Sequence, residues 1–436
     1  MALALVVAGC GNSSSDSAGP TSSTSGSVVT APVADLSTHH PVQETGVTDT
    51  TIRLGSVASI TNPTAMAAAS FNRGLEAFFT SVNRDGGIWG RNLELVSKRD
   101  DLLGNNLTEV EGLLSQDNVF AAFIAAVLFT GHEQLAKEGI PTFGWNIEQE
   151  WAGPQNFFPS LGALCFHCVS RQIAFLAQHL HAHTLGVLAY DVPQSKVCAD
   201  GMEMAVTKYG KRVGLKMGFI DRSLTFGQTD LSVQVDGLKK AKVDLVATCM
   251  DRNAVFTVKQ EMNRQGFDAP FLHPQLYDAA FVEKYPDDFE GDFIVPQFTA
   301  LENKPRLPAI QAMFDEAKRD DQYVDELFVE GWVSAKQFYD ALKATGPDFT
   351  RAKLVDAWNH QPKPYTADGF LQPISWPKQH DSLEQVPSAA PELQCTNYVT
   401  VHDGKFVPTL GEPGKPWVCF SGTDENDLTP EYHSFR

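Results

Sequence analysis

Few residues in this chain are arranged for catalysis. There is no Gly-x-Ser-x-Gly elbow to raise a nucleophilic serine, no His-Glu-x-x-His zinc helix and no Walker-type phosphate loop. Gly86, Gly87 and Gly90 follow a helical pattern rather than a strand, so they do not form a dinucleotide fingerprint. Cys165-Phe166-His167-Cys168 has C-x-x-C spacing, but a structural zinc would need a second close ligand pair, and none is present. A thioredoxin-like motif would open a helix in a different fold context. His179, His181 and His183 lie close together without a carboxylate neighbour and read as a solvated cluster rather than a metal site. Asp100-Asp101 reads as a cap and turn feature rather than an acid–base pair. The expectation is a non-enzyme with no metal and no cofactor. The chemistry that remains is that of holding a ligand, beginning with the loop Ser59-Ile60-Thr61-Asn62-Pro63-Thr64, rich in hydroxyl and amide groups.

That loop sits inside a β-α-β pattern. Ile52, Leu54 and Val57 form the apolar run of a buried strand, and Ala67, Phe71, Leu75, Phe78, Phe79 and Val82 recur at helical spacing. Asp85-Gly86-Gly87 stops the helix, and Leu93 to Val96 is the next strand. The rhythm continues: a helix over 107–114, strands near 120–127 and 140–143, and a helix over 132–138. A second run begins near Ser170, with helices over 173–180, 196–209, 229–239 and 256–265. Strands at 185–190, 214–220, 243–248, 270–272 and 293–295 alternate with them. Later helices fall at 307–319, 327–345 and 349–358, and Asp403-Gly404 turns a hairpin over 398–407. Strands alternating with helices give parallel sheets with helices on both faces.

At 436 residues the chain is too long for one core, so two domains are expected. A net charge of −19 argues against a nucleic-acid partner and against docking on an anionic membrane. Met1 to Val7 is apolar but too short to span a bilayer, and Val7-Ala8-Gly9-Cys10 resembles a lipobox, with Cys10 the lipidated residue. No basic stretch precedes it, which places the start of such a signal peptide upstream of Met1. Residues 11–49, rich in Ser, Thr, Gly and Pro, read as a flexible tether to an extracytoplasmic body anchored to the bacterial membrane by lipid alone. The other cysteines, Cys165, Cys168, Cys198, Cys249, Cys395 and Cys419, are even in number and favour disulfides, with Cys395–Cys419 the best single pairing.

The stretch FNRGLEAFFTSVNRDGGIWGRNLELVSKRDD resembles the opening of the branched-chain amino-acid-binding (Leu/Ile/Val-binding-like) family of ABC-transporter solute-binding lipoproteins. Glu138-Gly139-Ile140-Pro141 and EGWVSAKQFYDALKATG extend the resemblance, which covers roughly residues 50–410. It implies a periplasmic-binding-protein type I clamshell, an α/β fold of two lobes, each a parallel sheet flanked by helices. Lobe one would comprise 50–165 plus 298–370, and lobe two 166–297 plus 371–436 with a C-terminal extension, hinged near Leu164, Pro296 and Pro373. The implied function is that of a monomeric receptor which captures a small organic ligand by hinge closure and presents it to ABC permease subunits. A clamshell sensor without a transport role, or an exported enzyme, are the alternatives.

Ligands of open parallel sheets bind beyond the carboxyl ends of the strands. Carried over from the family, the candidates in lobe one are Ser59, Thr61, Asn62, Phe129, Thr130, Trp145 and Asn146. In lobe two they are Tyr190, Gln194, Ser195, Asp251, Arg252, Gln275 and Tyr277. Arg252 would clamp a carboxylate with two hydrogen bonds, and Asp251 would hold an amine or position Arg252. The family's hydroxyl-rich loop is here Ala125-Ala126-Val127-Leu128-Phe129-Thr130-Gly131, in which only Thr130 offers a side-chain hydroxyl. A larger, more hydrophobic ligand, such as an aromatic or alicyclic carboxylate, fits that loop better than a branched-chain amino acid.

Overall fold

The computed structural model describes residues 35–64, 66–162, 169–380, 393–421 and 427–436. Cys10, Cys165 and Cys168 lie outside the described residues, as does most of the expected tether. Residues 36–436 form one compact unit.

The first half runs β1 (Thr51–Ala58), α1 (Ala69–Arg84), β2 (Asn92–Asp100), α2 (Asn106–Ser115), β3 (Ala121–Ala125), α3 (His132–Lys137), β4 (Thr142–Gly144) and β5 (Phe157–Pro159). Its strands make a five-stranded sheet in the order β2-β1-β3-β4-β5, parallel throughout. β3 is buried along its whole length, as its unbroken apolar sequence requires in a sheet covered on both faces. β5 was not legible from the sequence: three residues offer no period to read.

The chain then runs α4 (Gln172–Leu180), β6 (Thr184–Tyr190), α5 (Pro193–Val213), β7 (Lys216–Leu224), α6 (Ser232–Lys240), β8 (Leu245–Cys249), α7 (Arg252–Gln265), β9 (Phe271–His273), α8 (Ala279–Lys284), α9 (Pro286–Phe289) and β10 (Phe293–Ile294). It continues α10 (Pro308–Arg319), α11 (Glu326–Thr345), α12 (Arg351–Asn359), α13 (Trp376–Gln379), β11 (Leu393–Thr396), β12 (Tyr398–His402), β13 (Lys405–Thr409), β14 (Trp417–Ser421) and β15 (Glu431–His433). The second sheet has the order β13-β12-β10-β9-β8-β6-β7. It is parallel from β7 to β10, and the β12–β13 hairpin adds antiparallel strands at one edge. The hairpin turns on Asp403 and Gly404, both with positive φ, the geometry an Asp-Gly pair accommodates.

β11, β14 and β15 form a small separate sheet, in which Cys395 pairs across from Cys419 and is disulfide-bonded to it. The two cysteines thus bracket the β12–β13 hairpin in sequence, while the hairpin itself belongs to the larger sheet. A second disulfide joins Cys198 to Cys249.

α11 packs against α1 at close range. A Cβ on Gly74 would lie 2.1 Å from the Phe328 carbonyl oxygen, and one on Gly331 would lie 2.0 Å from the Phe71 carbonyl oxygen. The two glycines therefore allow backbone-to-backbone contact, with Phe71, Leu75, Phe78 and Trp332 buried around it.

The tether ends earlier than composition implied. Residues 36–49 are laid against the first sheet, with Leu36, Val42 and Val47 packed on its core. Arg91 donates to the carbonyls of Thr48 at 2.7 Å and His40 at 2.8 Å, and Gly46 sits against the Phe120 backbone. Sparse apolar anchors and a buried arginine hold a segment whose composition alone reads as linker. Among the described residues, no helix is long and apolar enough to cross a membrane.

Candidate ligand-binding cleft

The carboxyl ends of the two sheets border a cleft of about 410 Å³. From the first sheet it is lined by Thr64 and Met66 after β1, Val127 after β3, Trp145 and Ile147 after β4, and Leu161 after β5. From the second come Tyr190 at the end of β6, Cys249, Met250 and Asp251 at the end of β8, and Pro274 and Gln275 after β9.

α5 supplies a further wall. Gln194, Val197, Cys198, Gly201 and Met202 recur at three- and four-residue spacing, so one stripe of the helix faces the cleft. The sequence placed the start of this helix at Lys196; it begins at Pro193, whose fixed φ suits the first helical turn. Gln194 and Ser195 are therefore first-turn residues rather than loop residues. The Cys198–Cys249 disulfide ties this helix to the end of β8, and both half-cystines line the cleft.

Polar groups along the second wall are mostly spoken for. Asp251 caps α7 by accepting from the backbone nitrogens of Asn253 at 2.9 Å and Ala254 at 3.3 Å. The Tyr190 hydroxyl donates to the other Asp251 oxygen. Burial, and then the Asp251 charge, hold the Tyr190 phenol well above its ordinary pKa, so it remains a donor. Ser195 Oγ accepts from the Tyr190 nitrogen at 2.7 Å and donates to the Cys249 carbonyl at 2.5 Å, which locks the helix start to the strand ends. Side chains of this wall also reach the loops that follow the strands of the first sheet. Gln194 Nε2 donates to the Val127 carbonyl at 3.0 Å, and Asn253 Nδ2 donates to the Thr64 carbonyl at 2.9 Å.

A smaller pocket of about 70 Å³ adjoins the cleft and shares Met66, Trp145, Asp251 and Gln275 with it. Arg252 and Tyr277 line this pocket rather than the cleft. The Arg252 guanidinium is paired with Asp278 and lies 5.3 Å from the centre of the Phe281 ring, so it is not presented as a carboxylate clamp. The Tyr277 hydroxyl donates to Glu302 and accepts from the Leu301 nitrogen at 2.8 Å, while its ring stacks on Phe406 at 4.7 Å.

Trp145, Tyr190, Gln194, Ser195, Asp251 and Gln275 of the expected set thus border the cleft. The remaining candidates of the first lobe do not, because each is engaged in holding its own loop. Ser59 Oγ accepts from the Val127 nitrogen at 3.0 Å, and the Thr61 nitrogen donates to Asp100 at 3.0 Å. The Asn62 amide folds back, donating to the Ser59 carbonyl at 2.8 Å and accepting from the Met66 nitrogen at 3.2 Å. Phe129 is core, packed on Trp151 and Phe157. Thr130 Oγ1 accepts from the Leu107 nitrogen at 3.2 Å, in the first turn of α2. Asn146 Nδ2 donates to the Gly162 carbonyl at 3.0 Å.

Sequence reading missed most of the apolar lining: Met66, Ile147, Val197, Met202, Phe226 and Met250. The repeat along α5 was a readable signal for part of it, since Val197, Gly201 and Met202 fall on one side of that helix. The apolar turn at Val127 was read from the sequence, and Val127 does line the cleft.

Comparison with known proteins follows the same lines. A family model described as periplasmic binding protein matches residues 51–385. No curated protein matches the chain by sequence. Solved structures share its fold at low identity. A fatty acid ABC transporter substrate-binding protein from Thermomonospora curvata is 20% identical, with a TM-score of 0.69 over 87% of this chain and 95% of that one. A branched chain amino acid ABC transporter protein from Thermus thermophilus with bound valine is 16% identical, with a TM-score of 0.68 over 86% of this chain and 97% of that one. A solute binding protein from R. palustris in complex with benzoate is 15% identical, with a TM-score of 0.66 over 86% of this chain and 99% of that one.

Proposed function

The chain belongs to the periplasmic binding protein family, and on that premise we propose that it is the extracytoplasmic solute receptor of an ABC importer. In this reading the lobes divide as 50–165 plus 298–370 and 166–297 plus 371–436, and they close on a small, largely apolar organic molecule. Closure follows from ligand contacts made to both lobes at once, which bias an open–closed equilibrium toward the closed form. The closed form is what ABC permease subunits would recognise.

The observation that carries the reading is the cleft of about 410 Å³ at the carboxyl ends of two parallel sheets, walled by Met66, Val127, Trp145, Val197, Met202 and Phe226. Cavities of this size and lining suit a small organic ligand. The valine and benzoate complexes and the fatty acid transporter among the structural neighbours support an organic solute, and the apolar walls favour the less polar members of that range. Lipidation of Cys10 and a monomeric state belong to the same proposal.

A thermal-shift screen of amino acids, aromatic acids and aliphatic compounds tests it. A hit should also reduce the radius of gyration in small-angle scattering. No stabilisation by any compound of a broad panel, or binding with an unchanged radius, would count against the receptor reading.

A further inference from the structure

The charge balance of the cleft bears on what kind of head group it accepts. Among the described residues, none that line it is a lysine, arginine or histidine. Asp251 is the only one of these described lining residues with a formal charge, and both of its oxygens are occupied: one by the Tyr190 hydroxyl, the other by the first amides of α7. Arg252, the nearest cation in sequence, lines the adjoining smaller pocket and is paired with Asp278. A free carboxylate entering the cleft would therefore meet, among the described lining residues, one negative charge and no side-chain cation. Burial of an unpaired charge is costly, and a like charge nearby adds to the cost.

The neutral polar groups are hydroxyls and amides, and the hydroxyls of Thr64, Ser170, Tyr190, Ser195 and Thr396 are all hydrogen-bonded within the protein. Gln275 and Gln297 line the cleft and make no side-chain hydrogen bond to the described residues. Gln194 is more telling. Its Nε2 donates to the Val127 carbonyl at 3.0 Å, which fixes the amide's orientation, and its Oε1 is buried without a partner. A buried acceptor calls for a donor, and a carboxylate has none to give.

We infer that the ligand is an uncharged amphipathic molecule, with an apolar body against Met66, Val197 and Met202 and a hydrogen-bond-donating head, a primary amide or alcohol, at Gln194 Oε1. The inference rests on the receptor reading and narrows it to a ligand class. It departs from the carboxylate expected from the sequence, and both Asp251 oxygens are already hydrogen-bonded, so an amine finds no unoccupied carboxylate oxygen there.

The test is a matched series titrated at pH 7.5 by calorimetry: octanamide, 1-octanol, octanoate and octylamine. Octanamide and 1-octanol should bind at least about tenfold tighter than octanoate and octylamine. Gln194→Leu, which also removes the bond to Val127 and so weakens every ligand, should weaken octanamide by about tenfold more than octanoate, with an unchanged far-ultraviolet spectrum as the check on folding. Octanoate or octylamine binding as tightly as the neutral pair overturns the inference and leaves the receptor reading intact. Silence of all four compounds overturns it as well. Failure of the receptor reading would instead show as silence across the broad panel.

Discussion

Asn253, in the first turn of α7, donates its Nδ2 to the carbonyl of Thr64 in the loop after β1, at 2.9 Å. The two residues are 189 positions apart and stand on opposite walls of the cleft, so the bond exists only while the walls are close. Gln194 makes the equivalent contact to Val127. Asn253→Ala removes a hydrogen bond contributing about 1 kcal/mol to the closed form. Ligand affinity should fall about three- to tenfold, and the radius of gyration at subsaturating ligand should rise. Unchanged affinity and radius would show that the contact does not bias closure.

The Cys198–Cys249 disulfide closes a loop of 51 residues and braces the α5 wall against the end of β8. Constraint of the unfolded chain by such a loop contributes about 2–4 kcal/mol. Replacing both cysteines by serine should lower the denaturant midpoint accordingly and weaken ligand binding, because both residues line the cleft. Loss of stability with full affinity would separate the brace from the site.

Gly74→Ala and Gly331→Ala set two effects against each other. Alanine gains about 1 kcal/mol of helix propensity over glycine. Against this, each new methyl would lie 2.0–2.1 Å from a backbone oxygen of the facing helix, and no side-chain rotation relieves a clash with backbone. The clash should win, with a net loss of about 1–3 kcal/mol in a chemical melt. Gly201→Ala, in α5 where a Cβ would meet nothing within 4 Å, should show the propensity gain alone. Stabilisation by all three would mean that α1 and α11 do not approach as closely as described.

Burial pushes the Glu326 carboxyl up to about 7, and burial followed by the Glu150 charge pushes Glu148 up to about 8. In the unfolded chain both titrate near the ordinary glutamate value of about 4.3. Between those values the unfolded chain sheds protons that the folded protein keeps, so the stability these groups confer is complete in acid and is lost as pH rises through 7 and 8. The melting temperature should fall from pH 5 to pH 8.5. Glu326→Gln with Glu148→Gln should reduce the loss of stability over that range by about 3 kcal/mol for Glu326 and about 4 kcal/mol for Glu148. An unaltered slope in the double variant would assign the effect elsewhere.

Much of the fold was legible because it is periodic. The stripe Phe71, Leu75, Phe78 and Phe79 specifies α1, and the apolar runs at 121–125, 185–190 and 245–249 specify strands buried on both faces. Alternation of the two elements specifies parallel sheets. What these signals share is locality, since each is set by the preferences of neighbouring residues in the chain. They sufficed to place Trp145, Tyr190, Asp251 and Gln275 at strand ends, where the cleft formed.

The chain alone determined the architecture, the approximate position of the cleft and the apolar turn at Val127. Only tertiary structure decided which polar residues are free to meet a ligand. Ser59, Asn62, Thr130 and Arg252 have suitable chemistry, but each is engaged by a partner in its own loop or on a neighbouring element: Val127, Met66, Leu107 and Asp278. Gln194 Oε1 is left without one. Hydrogen-bond satisfaction is a property of the assembled structure, because a donor and its acceptor need only be close in space. For that reason the strand ends that border this cleft could be read from the sequence, and which of their polar groups remain unpartnered could not.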